Sequence, residues 1–108
     1  MDLSPILVVD EQSDLRTKLA QSLNRSGFAV EGISNGSEAL KKIESAKYSM
    51  VISDEKIKDS GGMDILRSIK KISPQIPVII MTANGTVHNA VEAMQAGASD
   101  YLLKPFSL

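Results

Sequence analysis

The chain has no cysteine. No disulfide framework and no thiolate metal site can form, and a reducing cytosol is compatible with that. It also lacks an excess of either charge, since 12 basic and 13 acidic residues leave a formal charge of -1. The basic residues are scattered, with only short pairs such as Lys41 with Lys42 and Lys70 with Lys71, so no nucleic-acid surface is expected. No basic start leads into an apolar run, and Asp2 and Pro5 come early, so no signal peptide is read. The densest apolar stretch, residues 78–81, is far too short to cross a bilayer. The partners expected therefore include neither nucleic acid nor membrane. A single histidine, His88, makes no metal site by itself; it lies beside the apolar stripe of its helix and is read as solvent-facing. There is no Gly-x-Gly-x-x-Gly or Walker motif, and no repeat, low-complexity tract or linker. The 108 residues, 43% hydrophobic, suit one small domain with one modest core.

What is present is an alternation of strand and helix signals. Ile6, Leu7, Val8 and Val9 form a short apolar run bounded by Pro5 and Asp10, which reads as a buried strand. Ser13 is expected to cap a helix whose Leu15, Leu19 and Leu23 recur every fourth residue. Gly27 is expected to end it in a left-handed conformation. Residues 28–33 read as the second strand. Asn35 with Glu38 resembles a capping box, opening a helix with the stripe Ala39, Leu40 and Ile43. Met50, Val51 and Ile52 read as a third strand ending at Ser53 and Asp54. Gly61 and Gly62 are placed in a loop before a third helix with Ile65, Leu66, Ile69 and Ile72 inward, which Pro74 and Pro77 close. Residues 78–81 read as the fourth strand. Val87, Ala90, Val91 and Met94 mark the fourth helix, stopped by Gly97, and Tyr101, Leu102 and Leu103 read as the fifth strand. Strands that are nearly continuous apolar runs, separated by helices, predict an α/β fold: a doubly wound, five-stranded parallel sheet covered on both faces.

In such a sheet ligands bind outside the carboxyl ends of the strands. Asp10 and Glu11 follow the first strand, Asp54 the third, Thr82 and Ala83 the fourth, and Lys104 the fifth. If the central strands are neighbours, these residues share one edge. Three clustered carboxylates repel one another and raise each other's pKa unless a cation neutralises them. Magnesium does this with oxygen ligands while keeping waters and room for a phosphoryl oxygen. A carboxylate can also act as a nucleophile and form an acyl phosphate. The metal, Lys104, the Thr82 hydroxyl and a backbone N–H near Ala83 would supply the charge neutralisation that phosphoryl transfer needs. Each residue has a plainer reading. Asp10 and Glu11 would favour a helix N-terminus through its dipole, Asp54 and Thr82 suit turns, and Lys104 suits a solvated loop. All of these holding together at the ends of four strands is the less economical account.

Two rivals fail on the residues. Gly32 to Gly36 matches the G-x-S-x-G nucleophile elbow around Ser34. The chain is too short for that hydrolase fold, no oxyanion-hole loop is visible, and the second strand reads as an edge. A flavodoxin-like cofactor module would need phosphate donors after the first strand, where Asp10, Glu11 and Gln12 would repel a phosphate lacking a metal.

Taken together, Val8-Val9-Asp10-Glu11, Asp54 with Gly62 eight residues on, Thr82-Ala83 and Tyr101-Leu102-Leu103-Lys104-Pro105-Phe106 resemble the receiver domain of bacterial two-component response regulators, across essentially the whole chain. The resemblance implies a flavodoxin-like strand order 2-1-3-4-5. It implies that Asp54 accepts a phosphoryl group from a sensor histidine kinase. Magnesium would be held by Asp10, Glu11, Asp54 and the backbone carbonyl of Lys56. Thr82, Lys104 and the Ala83 backbone would contact the phosphoryl group, and Tyr101 would turn inward as Thr82 moves. The fourth-helix and fifth-strand surface would then change shape and offer a homodimer contact. A cis peptide at Lys104–Pro105 is also implied. The segment from Met81 to Val87 and Ala96-Gly97-Ala98 look most like receivers of NtrC-type enhancer-binding transcription activators. That implies a cytoplasmic regulator with its output domain in the same full-length chain. A receiver-like docking domain that signals without phosphate is the alternative, and the intact acidic set argues against it. The sequence departs from the family pattern at Lys58, where Pro is usual, and at Glu11, where a second Asp is commoner. Lys56 and Asn84, two residues beyond the acceptor and the threonine, are expected to tune phosphate lifetime.

Five strands but four helices are read. Ser107 would cap a fifth helix, which receivers pack beside the first. Residues 1–108 are therefore expected to be a single receiver domain that is C-terminally incomplete, a fragment of a longer regulator. One face of strands three to five would lie uncovered, and the fragment is expected to be destabilised or to self-associate through it.

Overall fold

A computed structural model describes residues 4–57 and 60–104, with the backbone alone for residues 60–62. Its elements are β1 (Ile6–Val9), α1 (Ser13–Arg25), β2 (Val30–Ile33), α2 (Gly36–Ser45), β3 (Met50–Asp54), β4 (Lys56–Ile57), β5 (Ser60–Gly61), α3 (Gly62–Ile72), β6 (Val78–Thr82), α4 (Val87–Gln95) and β7 (Asp100–Leu103). The main sheet is parallel throughout, in the order β2-β1-β3-β6-β7. This is the expected 2-1-3-4-5 order once the short β4–β5 ladder is left out of the count.

The sheet divides the core in two, as period-two alternation requires. Leu7, Val9, Val51, Val78 and Ile80 point to the side covered by Ala39 and Ile43 of α2, by Ile65, Leu66 and Ile69 of α3, and by Ala93 of α4. Ile6, Val8, Ile52 and Met81 point to the other side, against Leu19 of α1. The helix ends follow their punctuation. Gly27 and Gly97 sit at φ 96° and 106°, where only a residue without Cβ is unstrained. The Asn35 side chain caps α2 by accepting from the Glu38 N–H at 2.8 Å.

Three local expectations are corrected. The second strand starts at Val30, because the Phe28 N–H is still turned back onto the Leu23 carbonyl and its ring is 52% exposed. That strand is an edge and carries exposed Glu31 and Gly32. Ser13 is the first residue of α1; the cap position is Gln12, whose side chain makes no capping bond. The Gln12 N–H instead donates to Asp10 Oδ1 at 2.9 Å. Gly61 is part of the antiparallel β4–β5 ladder, paired with Lys56, and Gly62 already opens α3. Lys58, the Lys104–Pro105 peptide and Ser107 lie outside the described residues.

Tyr48 closes the core at the amino ends of the strands. It is buried, and its hydroxyl donates to Glu31 Oε2 at 2.5 Å. Burial, with the Glu31 carboxylate adding to it, pushes this phenol up to about 12. A raised pKa means that the folded state holds its proton longer than the unfolded chain does. The stabilisation is complete below the ordinary value near about 10 and is lost as pH rises towards about 12. Absorbance titration of the folded protein should show a tyrosine ionising near the upper value, with unfolding free energy falling across that window. Both tyrosines ionising at the ordinary value would contradict the assignment.

Candidate functional site

The register brings the carboxyl ends of the central strands level. Val9 pairs with Ser53, Asp54 with Met81, and Thr82 with Leu103. Backbone bonds continue the ladder past the strands: Glu55 N–H to Met81 O at 2.7 Å and Lys104 N–H to Thr82 O at 2.7 Å. The residues that follow each strand are thus held in place by the sheet rather than left on free loops.

Asp10 is fully buried. Its Oδ2 accepts from the Lys104 ammonium at 2.9 Å and its backbone carbonyl from Arg16 Nη1 at 2.5 Å. The same ammonium stands 3.3 Å from Asp54 Oδ1. One cation therefore serves two carboxylates in a water-poor place, and Asp54 shows the consequence. Burial, more than anything else, raises its pKa, and the Asp10 charge raises it further. Lys104 and the Lys56 backbone N–H act the other way without cancelling these. Thr82 is buried, and its Oγ1 accepts from the Asn84 N–H at 3.2 Å. A cavity of about 210 Å³ opens over this group, lined by Glu11, Gln12, Asp54, Lys56, Thr82, Ala83, Asn84 and Lys104. A wider hollow of about 570 Å³ at the other end of the strands, beside Tyr48 and Pro77, has no comparable cluster of acids around a buried cation.

Of the residues singled out from the sequence, Glu11, Asp54, Lys56, Thr82, Ala83 and Lys104 line this one cavity, and Asp10 joins it through Lys104. Glu11 is exposed at the rim. Among the described residues no three acidic or imidazole groups stand close enough to enclose an ion by themselves. The donors nonetheless fit magnesium, which takes one or two carboxylates, keeps several waters and prefers oxygen. Asp54, half-neutralised and pushed up, is the acid that a further cation would serve best.

Two residues carry no signal in the sequence. Arg16 lies in α1 with no motif to mark it. Glu55 follows Asp54, so its side chain leaves the strand on the opposite side. Its Oε1 accepts from the Tyr101 hydroxyl at 3.1 Å. Ser34 and His88 are not brought together. Ser34 follows the edge strand β2, while His88 is on α4 with its side chain 86% exposed and Glu92 at 3.8 Å. No described helix is long and apolar enough to cross a membrane.

The family model for the response regulator receiver domain matches residues 6–108. The chain is 41% identical over 100 residues to the transcriptional regulatory protein ZraR of Klebsiella oxytoca, an alignment covering 93% of this chain and 23% of the relative. It is 39% identical over 103 residues to the DNA-binding transcriptional regulator NtrC of Rhizobium meliloti, covering 95% and 21%. It thus spans less than a quarter of these relatives' length. A CheY-like receiver domain protein from Methanospirillum hungatei superposes with TM-score 0.93 at 30% identity, covering 98% of this chain and 85% of that one. A Burkholderia pseudomallei response regulator, solved with a phosphorylated aspartic acid, a calcium ion and citrate, superposes at 0.90 with 28% identity, covering 96% and 61%. A beryllofluoride-activated NtrC4 receiver domain dimer superposes at 0.92 with 33% identity, covering 95% and 85%. With the acidic strand-end cavity on the same parallel sheet, these matches mean that the chain belongs to the response regulator receiver domain family and is most like the receivers of NtrC- and ZraR-type regulators.

Proposed function

We propose that the chain is a magnesium-dependent phosphoacceptor whose acceptor is Asp54. The observation that carries this is the Asp54 carboxylate at the mouth of the cavity, 3.3 Å from a cation that it shares with buried Asp10. An Asp54 oxygen attacks phosphorus, and the bond from phosphorus to the donor breaks. The donor, the phosphohistidine imidazole of a sensor kinase, leaves with the electron pair, and Asp54 becomes an acyl phosphate. Lys104 and the Thr82 hydroxyl are within the same cavity to donate to the phosphoryl oxygens, with the Ala83 backbone N–H beside them. Thr82 accepts from Asn84, which leaves its own proton to donate. Magnesium, when bound, neutralises the acidic set and the incoming phosphoryl charge; Asp10, Glu11, Asp54 and the Lys56 carbonyl would hold it.

Phosphorylation then shifts a two-state surface that a partner reads. Support for its location comes from exposed apolar side chains on α4 and β7: Val87, Val91, Met94 and Leu103. This face suits a homodimer contact, as the NtrC4 receiver dimer among the similar structures encourages. The relatives' names support a transcription output in the full-length chain, and the same reading takes it to act in the cytosol. The test is intact mass after incubation with an acyl-phosphate donor. A gain of one phosphoryl group with magnesium, and none with a chelator, is expected. No gain from a donor that labels a control receiver would overturn the proposal and favour docking without phosphate.

A further inference from the structure

Tyr101 is not merely half-buried on an edge strand; its hydroxyl is held. The bond runs to Glu55, 46 residues away in sequence, on the turn that follows Asp54. We infer that Glu55 is a positioning residue that latches the Tyr101 hydroxyl to the turn after β3, so that the residue next to the acceptor sets the resting position of this aromatic. The inference rests on the proposed roles of Asp54 and Tyr101.

Three features make the latch specific. The Glu55 backbone is pinned, since its N–H donates to Met81 O at 2.7 Å, so its side chain starts from a fixed point. A phenol donating to a carboxylate is a charge-assisted bond, stronger than one to a neutral acceptor. The loop after β6 also packs beside the ring: a Cβ at Gly85 would stand 3.3 Å from Tyr101 Cε2 and 3.2 Å from Thr82 Cγ2, and the exposed Leu103 side chain would have to shift to admit it. The phenol thereby meets three elements at once: Glu55 after β3, Thr82 at the end of β6, and Asn89 in the first turns of α4. Burial and then Glu55 raise its pKa, while Thr82 and Asn89 act the other way. Removing the carboxylate should release the ring from Thr82 without touching the cavity in which Asp54, Lys104 and Glu11 stand.

The test is ring-to-methyl proximity by NMR, with Tyr101 signals assigned by Tyr101→Phe. The unmodified chain should show Tyr101 ring contacts to the Thr82 methyl. In Glu55→Ala these contacts should be lost; in Glu55→Gln, which keeps the shape and a neutral acceptor, they should be weakened but present. Phosphoryl uptake by mass should persist in both, a result that general damage to the fold would not give. Unchanged ring contacts in Glu55→Ala, or in Glu55→Gln equal loss with no difference from alanine, would overturn the latch. Absence of phosphoryl uptake in the unmodified chain would instead sink the acceptor reading, and the ring contacts would still decide the latch by themselves.

Discussion

Lys104→Ala is expected to destabilise the metal-free domain by about 3 kcal/mol at neutral pH, the scale of losing one partner of a buried ion pair. The Lys104 side chain is 10% exposed, and its ammonium lies between Asp10 and Asp54 at 2.9 and 3.3 Å. Without it, two carboxylates face each other in a site that water barely reaches, and each can escape only by taking up a proton. Their folded pKa values would then stand above the unfolded ones. The folded state would bind more protons, so unfolding free energy would fall as pH rises through that range. The deficit should therefore shrink between neutral pH and about pH 5, where carboxylates are ordinarily still mostly ionised. Urea unfolding of Lys104→Ala and Lys104→Met at both pH values checks this, the methionine keeping the packing and removing only the charge. Magnesium should restore part of the loss in both variants. A Lys104→Met protein as stable as the unmodified chain at neutral pH would mean that the ammonium is not the counterion of Asp10.

Asp54→Asn is expected to separate stability from function. Phosphoryl uptake should vanish, because an amide is not a nucleophile towards phosphorus. The metal-free fold should become more stable than the parent, read as a higher Tm. The sign follows from the raised pKa of Asp54: folding works against its ionised form, and burial is the main reason. That cost is present above its folded pKa and disappears as the group is protonated at lower pH. The amide has nearly the same shape as the carboxylate it replaces, and Lys104 keeps Asp10 as its partner at 2.9 Å. Thermal unfolding beside the mass assay reads both effects. A variant less stable than the parent would show that the Asp54–Lys104 attraction outweighs the burial cost.

Much of the fold is legible in the residues. The apolar run at Ile6–Val9 marks a central strand because all four side chains are buried, and at Val78–Thr82 all but Ile79 are, so no alternation with polar residues is left to confuse either. Gly27 and Gly97 stop helices because a positive φ is cheap only for glycine. The second strand reads two residues too early from sequence, since Phe28 is apolar and β-prone yet belongs to the turn closing α1. Ser13 resembles a cap because its hydroxyl suits one. The neighbouring Asp10 carboxylate takes the Gln12 N–H, and α1 starts one residue earlier than a Ser13 cap implies.

Sequence alone determined the order of the four helices and of the five strands of the main sheet, its parallel character and the polar residues at each strand end, because these depend on short-range periodicity and on residue type. Tertiary structure decided which of those residues share a charge. Strand order and register put one ammonium against two acids that are 44 positions apart in sequence. It also decided that Glu55 serves Tyr101 rather than the cavity of Asp54, its immediate neighbour. Alternation sends adjacent side chains to opposite sides of a strand, and only the fold determines what waits on each side.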